Sequence, residues 1–319
     1  MPLVAGIDEA GYGPTLGPLV VAASLWRVPP QHAQADLWKL LRSCVGRADS
    51  RGDALLRIDD SKRVFDRKRG LGSLERPVLA CAQAAGLPCR TLGELRAALG
   101  CPSDADTALP WEAAADPALP LDPVHGAYQA IAGRLAAECR RAGVACAGLM
   151  ARTVSPRRFN QRVAQTDNKA SVLLEHVLDL LAASANAAGD DELHVVVDHL
   201  GGRTNYRDLL LALFPGAGLR ELDISPNRSA YELRVRAALW RITFVVEADQ
   251  AFLPVALASM LAKYLREVLM EHFNAYWRRL VPGLRPTAGY HQDARRFLED
   301  IEAVRPRTGI SLESFVRQR

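Results

Sequence analysis

Several features that would narrow the class of protein are absent from this chain of 319 residues. None of the 6 cysteines belongs to a CxxC pair, so the sequence predicts buried thiols rather than disulfides or a zinc site. The apolar run 3–7 meets Asp8 too soon to be the core of a signal peptide. The uncharged window 10–26 is too short, and too rich in glycine and proline, to span a bilayer. These absences predict a cytoplasmic protein that makes no use of a membrane.

The chain also carries little net charge. Lys and Arg number 40 and Asp and Glu number 36, which gives a formal charge of +4. This small excess permits an anionic polymer as partner but does not by itself predict one. Hydrophobic residues at 49% and charged residues at 24% are typical of a globular protein with a substantial core.

Apolar runs and helical periodicity alternate along the sequence. Short buried runs predict strands at 3–8, 19–26, 144–154 and 194–198, and a hairpin near 230–247. A period of 3.6 residues predicts helices at 125–142, 169–188, 254–277 and 292–303. This alternation is typical of one α/β domain, covering residues 1–319, with a mixed central sheet flanked by helices.

One segment interrupts this alternation. Between residues 86 and 123 the sequence carries Pro88, Pro102, Pro110, Pro117, Pro120 and Pro123 and shows little periodicity. We therefore expect an insertion on the surface, outside the sheet and away from the acidic residues described next, with one helix near 92–99. Residues 278–319 are expected to form a helical extension at the C-terminal end of the domain.

Acidic residues end two of the predicted strands. Asp8 and Glu9 end the first, and Asp198 ends the run His194–Asp198. Functional groups of open α/β sheets collect at the carboxyl ends of strands. Neighbouring strand residues point to opposite faces, so Asp8 and Glu9 act together only if the backbone leaves the strand there, which the following glycines favour. Glu267, on the long helix, is a further candidate.

Clustered carboxylates predict a divalent cation, because their charges repel one another unless a cation neutralises them. Oxygen ligands suit Mg²⁺ or Mn²⁺, and two such ions about 3.5–4 Å apart are a common device for hydrolysing a phosphodiester. Other interpretations stay open. A single acid at a strand end is often a turn or cap residue, and Lys263 and Glu267 can form a helical ion pair, although Lys before Glu is the weaker orientation.

The glycines at 11–17 suggest a second alternative, a dinucleotide-binding turn. Such a turn must open a helix, whose N-terminus holds the pyrophosphate. Residues 18–23 read instead as a strand, and two acids precede the glycines. The context excludes this alternative.

Six elements occur in the order in which they are found in one family. They are GIDEAGYGPTLGPLVVAA at 6–23, Asp60-Ser61-Lys62, Asn168 with the helix after it, VVVD at 195–198, ALASMLAKYLREVLM at 256–270 and Gly289-Tyr290. Together they resemble the type 2 ribonucleases H, ribonuclease HII and HIII. The resemblance covers most of the chain except about 86–123 and part of 215–240.

The resemblance implies a ribonuclease H-like fold and a metal-dependent endonuclease. The implied enzyme is a monomer that hydrolyses the RNA strand of RNA–DNA hybrids, or of duplexes containing ribonucleotides, and leaves 5′-phosphate and 3′-hydroxyl ends. It implies a catalytic, metal-binding quartet for two Mg²⁺ or Mn²⁺ ions, made of Asp8, Glu9, Asp198 and Glu267. It implies substrate-binding roles for Gly11, Tyr12, Gly13, Ser61, Lys62, Asn168, Lys263 and Tyr290, and Lys169 is a further candidate.

The sequence departs from the family pattern at three places. Tyr12 stands where ribonuclease HII has a basic residue, His199-Leu200 follows Asp198, and Glu247-Ala248-Asp249 stands where ribonuclease HII has Lys-Gly-Asp. These departures favour a competing hypothesis, a nucleic-acid-binding protein on the same fold that does not cut, or one with a shifted substrate. The retained carboxylates favour the enzyme, since binding alone gains nothing from clustered negative charge.

Overall fold

The computed structural model describes residues 1–52, 55–101, 109–112, 116–122 and 128–318. Its strands are β1 (Leu3–Ala10), β2 (Leu19–Arg27), β3 (Val45–Gly46), β4 (Leu56–Arg57), β5 (Ala145–Val154), β6 (Leu193–Asp198), β7 (Gly218–Ser225), β8 (Arg228–Val235) and β9 (Ala238–Val245). Its helices are α1 (Leu37–Leu40), α2 (Ser61–Val64), α3 (Gly72–Ala84), α4 (Leu92–Ala98), α5 (Tyr128–Ala142), α6 (Pro156–Thr166), α7 (Lys169–Ala188), α8 (Arg207–Leu213), α9 (Ala248–Ala251), α10 (Leu253–Leu280) and α11 (His291–Ile301).

Seven strands form one mixed sheet in the order β5-β2-β1-β6-β9-β8-β7. Strand β1 is antiparallel to β2 and parallel to β6, and β6 is in turn parallel to β9. The register pairs Ile7 with Val197, so the next residues, Asp8 and Asp198, leave the pairing side by side. The predicted fold class, a mixed central sheet flanked by helices, is confirmed.

Helices cover the two faces of the central strands. On one face α10 packs with β2, and residues such as Val20, Leu257 and Leu261 are buried together. On the other face α7 packs through residues such as Leu173 and Leu180. A Cβ atom added at Gly6 would collide with the backbone of Pro254 and Val255, so glycine there lets α10 cross β1 at close range. This close crossing brings the α10 side chains onto the end of β1.

The described part of 86–122 contributes no strand to the seven-stranded sheet. The expectation that it lies wholly on the surface is wrong, because Leu92, Leu95 and Leu99 are buried in the core. Their spacing gives α4 an apolar face that the proline count does not reveal. The Glu75 carboxylate further anchors the segment by accepting bonds from Leu121 N at 2.7 Å and from the next amide at 2.9 Å. The predicted positions 102–108, 113–115 and 123 lie outside the described residues.

Residues 278–318 form a third apolar cluster rather than a simple helical extension. Phe297 and Phe315 pack there against Leu16 and Phe273, and Leu16 pairs with Val316 in an isolated β-bridge. The six cysteines are all buried and free, as predicted. Among the residues that the structure describes, no helix is long and apolar enough to cross a membrane.

Candidate active site

Three carboxylates meet where β1 and β6 end. Asp8, Glu9 and Asp198 each offer one oxygen, and these atoms lie within 4.8 Å of one another. Asp8 is buried, with 6% of its surface exposed, and the other two are half-buried. The structure therefore brings together three of the four acids of the predicted quartet.

The way in which Asp8 and Glu9 join the group differs from the prediction. The backbone does not leave the strand there, since β1 stays paired with β2 as far as Ala10. The parallel pairing with β6 stops at Ile7, however, which leaves that side of β1 open. The Asp8 side chain turns along the backbone, and its Oδ1 accepts a bond from Glu9 N at 2.7 Å. Both carboxylates can therefore reach the same space from consecutive positions.

Hydrogen bonds from neighbouring elements orient the acids. Asp198 Oδ1 accepts a bond from the backbone N–H of Ala248, in α9, at 2.9 Å. Ser259, on α10, lies next to Asp8, and its Oγ donates to Ser61 Oγ at 3.1 Å. Ser61, predicted to bind substrate, is itself buried and supports Ser259 at the first turn of α2.

The electrostatics of the group favour a bound cation. Burial, with the charges of Glu9 and Asp198, raises the pKa of Asp8 well above its ordinary value. Burial and Asp198 raise the pKa of Glu9 to about 7, and burial raises the pKa of Asp198. A carboxyl group binds metal only in its deprotonated form, so a cation that binds here displaces protons from these groups. Two oxygens bound to one Mg²⁺ are at most about 4.2 Å apart, so the residues fit this ion with little rotation.

Asp249 is an acidic residue that the predicted site did not include. It is buried in α9, next to the amide that holds Asp198. Burial and the charges of Asp60 and Asp198 raise its pKa to about 6, and its charge in turn raises the pKa of Asp8. Asp249 therefore adds negative charge near the three carboxylates without belonging to the group whose oxygens lie within 4.8 Å of one another. The sequence did carry a signal for Asp249, because this residue matches the aspartate of the Lys-Gly-Asp element in the family pattern.

The structure does not bring Glu267 into the group of three carboxylates. Its Oε1 accepts from Lys263 Nζ at 2.8 Å and its Oε2 from Arg67 Nη2 at 2.9 Å. Burial acts to raise its pKa, but Lys263 and Arg67 outweigh it and the pKa is lowered. Eight residues after Ser259, Glu267 lies about 12 Å further along α10. The helical ion pair that the sequence left open is formed here.

The loop after β1 brings backbone close to the site. Gly11 has φ of 87°, and a Cβ atom there would collide with the Arg266 side chain, so the position requires glycine. A Cβ atom at Gly13 would meet nothing within 4 Å. Tyr12, between them, is half-buried against the apolar cluster on the α7 face of the sheet. Lys169 Nζ lies 5.3 Å from the centroid of the Tyr12 ring.

The other predicted substrate residues differ in their surroundings. Lys62 is exposed beside the acids, and although burial opposes it, Asp60 and Asp249 raise its pKa. Tyr290 is 53% exposed immediately before α11. Asn168 caps α7, with its Oδ1 accepting from Ala170 N at 2.9 Å, which gives it a structural role. Lys62 and Tyr290 both have exposed side chains.

The raised pKa of Glu9 makes the stability of the metal-free protein depend on pH. Its pKa rises from 4.5 to about 7 on folding, so the folded chain binds more protons and the free energy of unfolding falls as pH rises through this window. We expect the Tm of the wild type in EDTA to fall, relative to that of Glu9→Gln, from about pH 5 to about pH 8. Parallel Tm profiles of the two proteins would contradict this assignment.

Comparison with known proteins gives similarity in fold only. No family model matches the chain, and no curated protein is similar to it. Ribonuclease H2 from Pyrococcus horikoshii OT3 is a similar solved structure, with 14% identity and a TM-score of 0.49 over 98% of this chain and 92% of that one. Bst-RNase HIII, in complex with Mn²⁺, has 16% identity and a TM-score of 0.48 over 99% and 66%. RNase HII in a PCNA:RNase HII complex from Archaeoglobus fulgidus has 18% identity and a TM-score of 0.41. That match covers 99% of this chain and 94% of the other.

The identities and TM-scores are low, and the function of this chain is therefore argued from the geometry of its own site.

Proposed function

We propose that this protein is a metal-dependent endonuclease that hydrolyses the RNA strand of RNA–DNA hybrids. The observation that carries the proposal is the convergence of Asp8, Glu9 and Asp198, with raised pKa values, at the ends of two central parallel strands. Burying like charges costs stability and gives no structural benefit unless a cation binds. A site of oxygen ligands alone fits Mg²⁺ or Mn²⁺.

Each acidic residue has a role in this proposal. Asp8, Glu9 and Asp198 hold the metal. We assign the role of fourth acid to Asp249 rather than to Glu267, because its charge raises the pKa of Asp8. When bound, divalent ions activate a water molecule for attack on phosphorus and neutralise charge on the leaving oxygen. The Glu9 amide orients the Asp8 carboxylate, and the Ala248 amide orients that of Asp198, before the substrate arrives.

The substrate is proposed from the surface around the acids. The open backbone at Gly13 lets a strand approach closely, where 2′-hydroxyl groups distinguish RNA from DNA. Lys62 places positive charge beside the carboxylates, and exposed Tyr290 offers a ring to a sugar or base.

Tyr12 leads to a prediction about specificity. Its phenol can donate one hydrogen bond and stack, but it brings no charge to pair with a phosphate. We expect a run of four ribonucleotides in duplex DNA to be cut faster than a single ribonucleotide. Consecutive 2′-hydroxyls supply contacts that replace those of the basic side chain absent at position 12. The measurement is the initial rate on both substrates at equal metal and salt.

The matched variant for this comparison is Tyr12→Arg. It restores a cation at the centre of the glycine motif and should raise the rate on the single ribonucleotide more than the rate on the run. Equal wild-type rates on the two substrates would show that Tyr12 does not set the preference. All-DNA duplex and EDTA serve as controls for contaminating nuclease.

A second candidate is a protein that binds nucleic acid without cutting it. The observation that favours it is the neutralisation of Glu267 by Lys263 and Arg67, which leaves one predicted quartet member outside the acidic group. Binding of hybrid together with no cleavage, in folded protein with both Mg²⁺ and Mn²⁺, would support this candidate and reject the endonuclease.

A further inference from the structure

A segment distant in sequence holds the loop that follows the catalytic acids. We call residues 11–17 the glycine loop and residues 315–318 the clamp segment. Leu16 and Val316 form a β-bridge, Gly17 N donates to Phe315 O at 3.3 Å, and Arg317 N donates to Thr15 O at 2.8 Å. The glycine loop begins two residues after Glu9, so whatever fixes the loop acts next to the acids.

The Arg317 side chain joins the two ends of the glycine loop. Its Nε donates to Gly17 O at 2.8 Å and its Nη1 to Gly11 O at 2.5 Å. The side chain is buried, with 4% of the residue exposed. A planar guanidinium has the fixed geometry needed to bond two separated carbonyl oxygens at once. The carbonyls on either side of Tyr12 and Gly13 are therefore held at one distance from each other.

Helix α6 holds the clamp segment from its other side. Asn160 Nδ2 donates to Val316 O at 2.8 Å, and Asn160 Oδ1 accepts from Gln318 N at 2.7 Å. The Arg317 guanidinium also lies 5.0 Å from the ring centroid of Phe159. The clamp segment is thus fixed between a helix of the domain and the glycine loop.

This arrangement keeps a buried cation without a carboxylate partner. Among the described residues no acidic group forms an ion pair with Arg317, and its Nη2 has no hydrogen-bond partner. Burial and nearby Arg266 lower the pKa of Arg317 to about 9. An unpaired buried charge is costly. The bonds to Gly11 and Gly17 are what this side chain adds.

We propose that the clamp segment is part of the substrate-binding site, with Arg317 as a positioning residue that sets the glycine loop against the nucleic-acid duplex. The inference rests on the proposed function, because it assigns the glycine loop to duplex binding. Arg317 acts through Gly11 and Gly17 and does not itself touch the substrate. Its removal should weaken duplex binding and leave the acids free to bind metal.

The first test compares Arg317→Ala with Arg307→Ala, an exposed arginine ten residues earlier that serves as the matched control. With the four-ribonucleotide substrate we expect Arg317→Ala to raise KM about tenfold and to change kcat less than about threefold. Arg317→Lys, whose ammonium reaches only one carbonyl, should give an intermediate KM. Arg307→Ala should match the wild type. Unchanged KM in Arg317→Ala would overturn the proposal.

The second test does not depend on cleavage. Hydrogen exchange of the peptide covering residues 11–17, and binding of a labelled RNA–DNA hybrid in EDTA, are measured for the same variants. Arg317→Ala should speed exchange and weaken binding, while the Mn²⁺-induced rise in Tm stays as in the wild type. Asn160→Ala, which frees the clamp segment from the far side, should have the same effects to a smaller extent.

These readouts separate the possible failures. Wild-type protein that cuts nothing rejects the proposed function, and exchange and hybrid binding still decide the role of the clamp segment. Equal exchange and equal binding in Arg317→Ala and the wild type would overturn the clamp proposal alone. Loss of the Mn²⁺-induced rise in Tm would also overturn it, because Arg317 would then support the whole site rather than the loop.

Discussion

Asp8→Asn should abolish hydrolysis while making the metal-free protein more stable. Asparagine keeps an oxygen that can accept the hydrogen bond from the Glu9 amide, so the local structure is preserved. It removes the most buried charge of the acidic group. Because the bound metal stabilises the transition state by several kcal/mol, kcat should fall at least about 10³-fold. Cleavage of a four-ribonucleotide hybrid and Tm in EDTA are the two measurements.

The stability half of this prediction follows from the pKa of Asp8. Burial and neighbouring charges raise it well above the ordinary value, so the carboxylate destabilises the folded state at neutral pH. Asp8→Asn should therefore raise Tm in EDTA and reduce the further rise on adding Mn²⁺. Asp190→Asn, at an exposed surface pair, is the control and should change neither. Full activity in Asp8→Asn would reject the metal site.

Three of the acids were predictable because strand ends are visible in the sequence. The apolar runs ending at Asp8 and Asp198 have no other regular interpretation, and parallel strands place their carboxyl ends at the same edge. The sequence did not show that β1 continues through Glu9 to Ala10 in its pairing with β2. How far each strand pairs with its neighbours is a property of the sheet and not of the local sequence.

The surroundings of Asp249 and of Glu267 could not be predicted from the sequence for a related reason. The hairpin near 230–247 was expected, but the parallel pairing of its second strand, β9, with β6 was not. This pairing places the residues after β9 at the acidic edge of the sheet. Spacing along α10 could not decide whether Glu267 faces metal or Lys263, since residues four apart share one face of a helix. The second contact of Glu267, with Arg67, joins residues distant in sequence and was not visible in this spacing.

Elements without an apolar pattern were also beyond the sequence. Strand β7 is exposed along most of its length at the sheet edge and has no buried face to mark it. Arg317 reads as a surface residue, because an arginine near Gln318 and Arg319 gives no sign that its guanidinium is buried against backbone carbonyls. Both depend on contacts between distant parts of the chain.

Asp249→Asn and Glu267→Gln should have opposite effects on stability, and only Asp249→Asn should lower activity strongly, so this pair decides which residue is the fourth acid. Asp249→Asn should lower kcat about 10²–10³-fold by weakening metal binding. It should also raise Tm in EDTA near pH 8, since the Asp249 pKa of about 6 means that its charged form is disfavoured in the folded protein. Kinetics as a function of Mn²⁺ concentration is the measurement, and the half-saturating concentration should rise.

Glu267→Gln should change kcat less than about tenfold and lower stability by about 2 kcal/mol at neutral pH, because Lys263 and Arg67 lose their anionic partner and Arg67 is partly exposed to screening solvent. The lowered pKa of Glu267 means that this stabilisation is present above its ordinary pKa and is lost as pH falls through the lowered value, so the difference from wild type should shrink in acid. The reverse pattern, with loss of metal-dependent rate in Glu267→Gln and normal rate in Asp249→Asn, would restore Glu267 to the quartet. It would also require Lys263 and Arg67 to release the carboxylate when metal binds.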